Sequence, residues 1–391
     1  MFVKFEKLNS NKVNPDPRAI QYRHPKYCVA LGQYLKPMEH RIYRLKGDGK
    51  VLPRSRVIGK GLSQTQRARL LESKMSEFRN PVVLSLDASR FDKHVSYELL
   101  LIEHMFYLGM CNDPLFRMLL SWQLKNYGVS SRNIRYVAHG KRMSGDMNTA
   151  LGNCILMILM VSTIMFGFFY DILDDGDDCL LIVEEKDLQW CLDNLPAEFL
   201  EFGMVLKIEH VARVIEHVEW CQCNPVRVGN HYKFIRDPHK VMSTALGGSK
   251  YFTSAGARRK LVNTIGMSEL ILNLGVPVLQ EYALALMRNA DTDQHLRLDE
   301  VDATYYRVHR ELKALNLKQL CKVNPSPISD ASRMSFALAF GMCIQDQLEL
   351  EQFLKSWCFD IDSQEDMVSD VCVPTWTVYR RYTPDLYSLW E

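Results

Sequence analysis

The chain has 391 residues, 47% of them hydrophobic and 24% charged, which excludes a disordered, collagenous or fibrous protein and allows a sizeable core. Eleven scattered cysteines do not make a disulfide framework and suit a reducing setting, and the charged start Met1-Phe-Val-Lys4 lacks the apolar run of a secretion signal. The net charge of +2 hides an asymmetry: residues 1–80 hold 18 Lys and Arg against 6 Asp and Glu, the other 311 hold 30 against 40. A basic end on an acidic body is what a protein that meets a polyanion needs.

The first 80 residues read as irregular and basic, punctuated by Pro15, Pro17, Pro25, Pro37 and Pro53 and by Gly47, Gly49, Gly59 and Gly61. Pro81 to Asp87 then predicts a short buried strand. From Ser96 the apolar residues Leu99, Leu100, Ile102, Met105, Phe106 and Leu108 recur at helical steps. A long helix is expected after Asp146. Ala150 to Tyr170 carries no charge, yet its most apolar part, Ile155–Tyr170, is 16 residues long and falls short of the roughly 20 that cross a bilayer. We expect a buried core helix there and no membrane span. Next, an apolar run to Leu173, the turn Asp174-Asp175-Gly176-Asp177 and the run Cys179–Val183 read as a β-hairpin. Beyond residue 240 the pattern is mainly helical, with periodicity in 266–288 and 333–355, and the acidic stretch 359–370 reads as a solvated linker.

Three segments carry chemistry. Asp87-Ala-Ser-Arg-Phe-Asp92 ends the first strand, so its carboxylates sit at the rim of a sheet. Asp174, Asp175, Asp177 and Asp178 crowd one hairpin tip and repel one another unless a cation or solvent intervenes. A calcium loop with Gly176 sixth would place Leu173 third and Ile182 twelfth, where oxygen ligands are required, so that reading fails. Oxygen-only donors favour magnesium or manganese over zinc. Cys221-Gln222-Cys223 lacks a second ligand pair and reads as two buried thiols. The Gly-Lys pairs at 49–50, 59–60 and 140–141 lack the rest of a Walker loop. In the third segment, Arg142-Met-Ser144-Gly145-Asp-Met-Asn148-Thr149-Ala-Leu-Gly152-Asn153, a Ser-Gly loop opens a helix with Thr149 and Asn153 on one face. An Asn in so apolar a helix either is satisfied within the core or faces a ligand.

Together these segments resemble the palm of viral RNA-dependent RNA polymerases of the tombusvirus-like positive-strand group. The match lies in Asp-Ala-Ser-Arg-Phe-Asp-Lys-His (87–94), Arg-Met-Ser-Gly-Asp-Met-Asn-Thr-Ala-Leu-Gly-Asn (142–153) and Gly-Asp-Asp-Cys (176–179), with further likeness at Lys4-Phe-Glu6-Lys7, Pro17–Arg23, Lys60-Gly61-Leu62 and Glu219–Val226. The resemblance implies an α+β right-hand fold: a basic fingers segment (1–80), a palm with an antiparallel sheet and interleaved fingers helices (81–240), and a mainly helical thumb and tail (241–391).

It also implies RNA-directed RNA synthesis by a two-metal mechanism. Asp87 and Asp177, supported by Asp178, would hold two Mg²⁺ or Mn²⁺ ions. Asp92 and Asn153 would read the ribose 2′-hydroxyl, with Ser144 and Thr149 positioning them. Lys4, Arg18 and Arg23 would clamp the triphosphate, and Lys207 would protonate the leaving pyrophosphate. Lys60 and Gly145 are implied RNA contacts, and the basic turn at Arg258 and Arg259 is a candidate to track the product duplex. The aromatic tail (Trp376, Tyr379, Tyr382, Tyr387, Trp390) is a candidate stacking platform, with core packing the preferred reading. Partners implied are template and nascent RNA, ribonucleoside triphosphates, and an upstream replicase region or auxiliary replication protein, in a membrane-associated complex of the host cytoplasm.

Two departures stand out. Relatives often carry Asn where this chain has Asp174 and Asp175, and full-length relatives carry more sequence upstream. Reverse transcriptases share the palm but place a bulky aromatic at the Asp92 position and another before their Asp pair; neither is present. A silent RNA-binding scaffold would have lost a metal carboxylate, and all three are intact.

Overall fold

The computed structural model describes residues 1–4, 18–130, 133–246, 254–298 and 306–361. The aromatic tail, the Glu6-Lys7 and Pro17 positions, and most of the acidic stretch 359–370 lie outside the described residues. The fold is mixed helix and antiparallel sheet. Two compact units emerge, the first comprising residues 1–60 and 73–213, the second residues 61–72 and 214 onwards.

In the first unit, α1 (Pro25–Ile42) overturns the expectation of an irregular basic start. Prolines misled there: Pro25 sits in the first turn, where the missing N–H costs nothing, and Pro37 is accommodated within the helix. Leu31, Leu35, Met38 and Ile42, at steps of three and four, bury its inner face. A second helix, α2 (Gln64–Met75), whose residues up to Glu72 fall in the second unit, comes next in the chain, before the strand β1 (Pro81–Ala88). Helix α3 (Tyr97–Met110) starts where Ser96 accepts from the Leu99 amide, and α4 (Pro114–Ser121) starts on Asp113.

After the hairpin β2 (Lys125–Val129) and β3 (Arg135–His139) comes α5 (Thr149–Ile164), apolar all round because residues 151–158 are all buried. No helix among the described residues is long and apolar enough to cross a membrane. The expected hairpin forms from β4 (Tyr170–Asp174) and β5 (Asp178–Glu184), followed by α6 (Leu188–Glu201) and β6 (Leu206–Ala212).

The sheet order is β4–β5–β1–β6, antiparallel throughout. The inner strands β5 and β1 are buried along nearly their whole length, so their polar residues collect at their ends. That places the last residues of β1 and the first of β5 at one end of the sheet.

In the second unit, β7 (Cys223–Val228) and β8 (His231–Arg236) pair as a hairpin. Helices α7 (Ala255–Leu272), α8 (Leu279–Ala290), α9 (Tyr306–Ala314), α10 (Asp330–Phe340) and α11 (Ile344–Ser356) supply most of its core. The single periodic run read over 266–288 is two helices, parted where Gly275 and Val278 take positive φ.

Candidate active site

The β-sheet register gathers the carboxylates. Asp87 lies opposite Asp178 of β5 and opposite Lys207 of β6. Directly paired residues of an antiparallel sheet project from the same face, so these three side chains share one face at the sheet's end. The Ala88 amide donates to the Asp177 carbonyl at 3.3 Å, which ties the hairpin tip to the end of β1. A bulge at Glu209, between the pairs Leu86↔Ile208 and Ser85↔His210, brings a further carboxylate near. Burial raises the pKa of Asp87, the negative charges of Glu209 and Asp177 raise it further, and Lys207 opposes them. Asp177 is exposed and Asp178 half-buried. Lys207 is 65% exposed and makes an ion pair with Glu209 at 3.2 Å.

The tip of the hairpin is built for this display. Gly176, at φ 108°, takes a conformation that side chains rarely adopt. Asp174 accepts from the Gly176 amide through Oδ1 at 3.2 Å, while its buried Oδ2 meets no hydrogen-bond geometry among the described residues, the Cys154 thiol being the polar side chain nearest in effect. Complete burial pushes its pKa well above the carboxylate range. Asp174 also forms a parallel bridge with Ile58, exchanging backbone bonds of 2.8 Å with Val57 and Gly59. Lys60, at the end of that segment, pairs with the Asp175 carboxylate and donates to its carbonyl at 2.7 Å. Burial is the largest single influence on the Lys60 pKa and lowers it, but the Asp175 charge, the Cys154 thiol, the hydrogen bond to Asp175 and the Asp174 charge together outweigh it and the net shift is upward. The cation that the crowded tip called for is partly supplied by the chain itself.

Asp92 lies on the short helix Phe91–His94, reached through Arg90 in the left-handed region at φ 50°. Its Oδ1 accepts from Asn153 Nδ2 at 2.9 Å, which joins two residues 61 positions apart. Arg142 Nε donates to Asn153 Oδ1 at 3.1 Å, and Arg142 forms a two-pronged ion pair with Glu103 of α3.

The Ser-Gly loop is fixed by the N-terminal segment. Ser144 Oγ donates to Gln21 Oε1 at 2.8 Å and accepts from the Gln21 amide at 3.2 Å. Tyr22 bridges Gly145, where a Cβ would stand 2.5 Å from the Gln21 carbonyl oxygen, so only glycine fits. Thr149 Oγ1 donates to the Met143 carbonyl at 2.9 Å. Both hydroxyls therefore hold the loop that precedes α5.

Lys4 and Arg18 are exposed and adjacent, with the Lys4 amide on the Arg18 carbonyl at 2.7 Å. Arg23 spends its Nε and Nη2 on the buried carboxylate of Asp146. In the second unit, Arg258 is buried and donates to the Ile361 carbonyl at 2.6 Å, and Arg259 is half-buried. Cys223 is buried and Cys221 half-buried, in a tight turn where Cys221 and Gln222 take positive φ. Arg67 lies over the Trp220 ring beside it, 4.7 Å from the centroid.

A family model of viral RNA dependent RNA polymerase matches residues 1–362. The chain belongs to the viral RNA-dependent RNA polymerase family. Among similar curated proteins are RNA-directed RNA polymerases of oat chlorotic stunt virus, 36% identical over 92% of this chain and 49% of that protein, and of panicum mosaic virus, 35% identical over 91% and 36%. That of tomato bushy stunt virus is 35% identical over 93% of this chain and 44% of its own length. The chain thus spans between a third and a half of these relatives' lengths.

Family members of this kind imply a divalent cation, and the donors present suit one. They are carboxylate oxygens only, and the upward pressure on Asp87, from burial first and then from the Glu209 and Asp177 charges, is one that a bound cation would relieve. Among the described residues no three His, Cys, Asp or Glu side chains gather into a cage. Magnesium usually binds through one or two carboxylates together with substrate phosphates, which fits this open arrangement.

Sequence reasoning passed over Glu103, and quoted Arg142 without giving it a role. The signal was present: Glu103-His104 interrupts an otherwise apolar helix, and buried charges need partners. Arg142 stands two residues before Ser144, inside the quoted motif.

Proposed function

We propose that this chain is the catalytic region of an RNA-directed RNA polymerase that copies a positive-strand viral genome, with the right-hand arrangement of fingers, palm and thumb. Residues 1–80 would belong to the fingers, 81–240 to the palm with interleaved fingers helices, and 241–391 to the thumb and tail. The observation that carries the reading is the register of β1, which sets Asp87 against Asp178 beside the Asp177 tip.

In the reaction a primer or nascent-strand 3′-hydroxyl forms a bond to the α-phosphorus of the incoming triphosphate, and pyrophosphate departs. Asp87 and Asp177, with Asp178 in support, would hold two Mg²⁺ or Mn²⁺ ions, which supply charge neutralisation at the reacting phosphate and activation of the attacking hydroxyl. Asp92 and Asn153 would select ribose, since a hydroxyl both donates and accepts. Lys4 and Arg18 suit the triphosphate through their exposed charge; Arg23, engaged with Asp146, suits a role in holding the loop against which the nucleotide lies. Lys207, solvent-accessible and across from Asp87, would give a proton to pyrophosphate. Template and nascent RNA, ribonucleoside triphosphates, and an upstream or auxiliary replication protein are the proposed partners. The proposed setting is a membrane-associated complex in the host cytoplasm.

The test is incorporation of labelled ribonucleotides on a short single-stranded RNA template with Mg²⁺ or Mn²⁺, beside Asp177→Ala. Template-dependent product that disappears in the variant supports the reading. RNA binding without incorporation by the intact chain would favour a scaffold.

A further inference from the structure

Behind the Asp92–Asn153 pair lies a charged assembly that the steps above do not use. Arg142 and Glu103 form an ion pair with fully buried side chains. Taking two charges out of water is costly, and apolar residues of similar volume often serve stability as well. The geometry points to another use. The guanidinium Nε that the pair leaves over donates to Asn153 Oδ1 at 3.1 Å. Guanidinium has donors only, so the amide atom facing it is the oxygen, and the NH₂ group faces Asp92. Glu103 is anchored in turn by Tyr107 Oη at 2.8 Å and Asn148 Nδ2 at 2.6 Å. Helix α5 even omits a side chain to admit the pair. A Cβ at Gly152 would stand 2.2 Å from Glu103 Oε1 and 2.5 Å from Arg142 Nη2.

We propose that Arg142, anchored by Glu103, is a positioning residue for sugar selection. It fixes the Asn153 amide so that one N–H meets Asp92, leaving the second N–H and the other Asp92 oxygen for the nucleotide's 2′-hydroxyl. The inference rests on the reading of Asp92 and Asn153 as the sugar-facing pair. The positive charge of Arg142 also opposes the burial that raises the Asp92 pKa, favouring the ionised acceptor.

The experiment compares kcat/KM for ATP and dATP on an RNA template, using the full chain and the variants Arg142→Lys, Arg142→Met with Glu103→Met, and Asn153→Ala. Lysine keeps the charge but loses the planar fork. The double variant removes both buried charges together, so it stays readable if the single change unfolds the chain. Equilibrium binding of ATP and dATP to the chain with template RNA reads the same preference without turnover. We expect Arg142→Lys and the double variant to lose about tenfold of the ATP preference, through ATP alone, the scale of one hydrogen bond to a charged group. Adding Asn153→Ala to Arg142→Lys should lower it no further. Equal losses for ATP and dATP, or an unchanged preference while Asn153→Ala abolishes it, would overturn the inference alone. No change of preference with Asn153→Ala would overturn the sugar-facing reading, and this inference with it.

Discussion

At the end of the sheet, Asp87 is paired with Asp178 and feels the charge of Asp177, which is open to solvent. In the network around Asn153 the charges of Arg142 and Glu103 are buried, Asp92 is half-buried, and each is engaged: Asp92 on Asn153, Asn153 on Arg142, Arg142 on Glu103. The first cluster accumulates like charge; the second neutralises opposite charge before any ligand arrives. The contrast follows from the tasks proposed for them. A site for mobile cations and a polyphosphate has to leave carboxylate oxygens available, whereas a site that measures one hydroxyl needs donors and acceptors held in place beforehand.

The contrast can be broken at either end. Asp177→Ala should lower incorporation by about a thousandfold or more, since charge stabilisation at the phosphate is the largest contribution, yet leave the melting temperature nearly unchanged because the residue is exposed. A large fall in melting temperature would mean that the tip is structural. In the network the reverse holds. Glu103→Ala strands a buried guanidinium and should cost about 3–5 kcal/mol in urea unfolding, while the double Met variant should recover most of it.

Lys60→Met tests the border between the two regions. It removes the Lys60 ammonium from the mostly buried Asp175 and should cost about 2 kcal/mol, partly restored by adding Asp175→Asn. Equal cost with and without Asp175→Asn would refute the coupling.

The smallest expected effect sharpens the comparison most. Asp174 has a folded-state pKa raised above its unfolded value, so the folded chain holds a proton that the unfolded chain releases above about pH 4. Its contribution to stability is therefore greatest below that pH and declines as pH rises toward the folded-state pKa. Asp174→Asn, which mimics the neutral acid, should be more stable than the parent chain at pH 7 and gain much less near pH 4. Urea unfolding of both chains at the two pH values measures it. A gain that does not shrink at low pH would mean that ionisation is not its source.

Much of this was legible in the chain's order of residues. The alternation of apolar runs with Asp-Gly turn chemistry gave β1, the β4–β5 hairpin and α5, because such patterns reflect local preference and burial together. The motifs gave Asp87, Asp92, Ser144, Asn153 and Asp177. Helix α1 was hidden because proline reads as a breaker; Pro25 is harmless by its place in the first turn, and Pro37 is tolerated inside the helix. The pairs Lys60–Asp175 and Arg142–Glu103, 115 and 39 residues apart, leave no periodic trace.

The sequence by itself determined which side chains carry charge, where β1, the β4–β5 hairpin and the apolar helix lie, and the family to which the chain is similar. Only the tertiary structure decided which of those charges are spent. Register put Lys207 and Asp178 on either side of Asp87, and packing of α3 against α5 turned Glu103 inward to meet Arg142. Hydrogen bonds and ion pairs act over a few ångströms, so their partners are chosen by the fold and not by position along the chain.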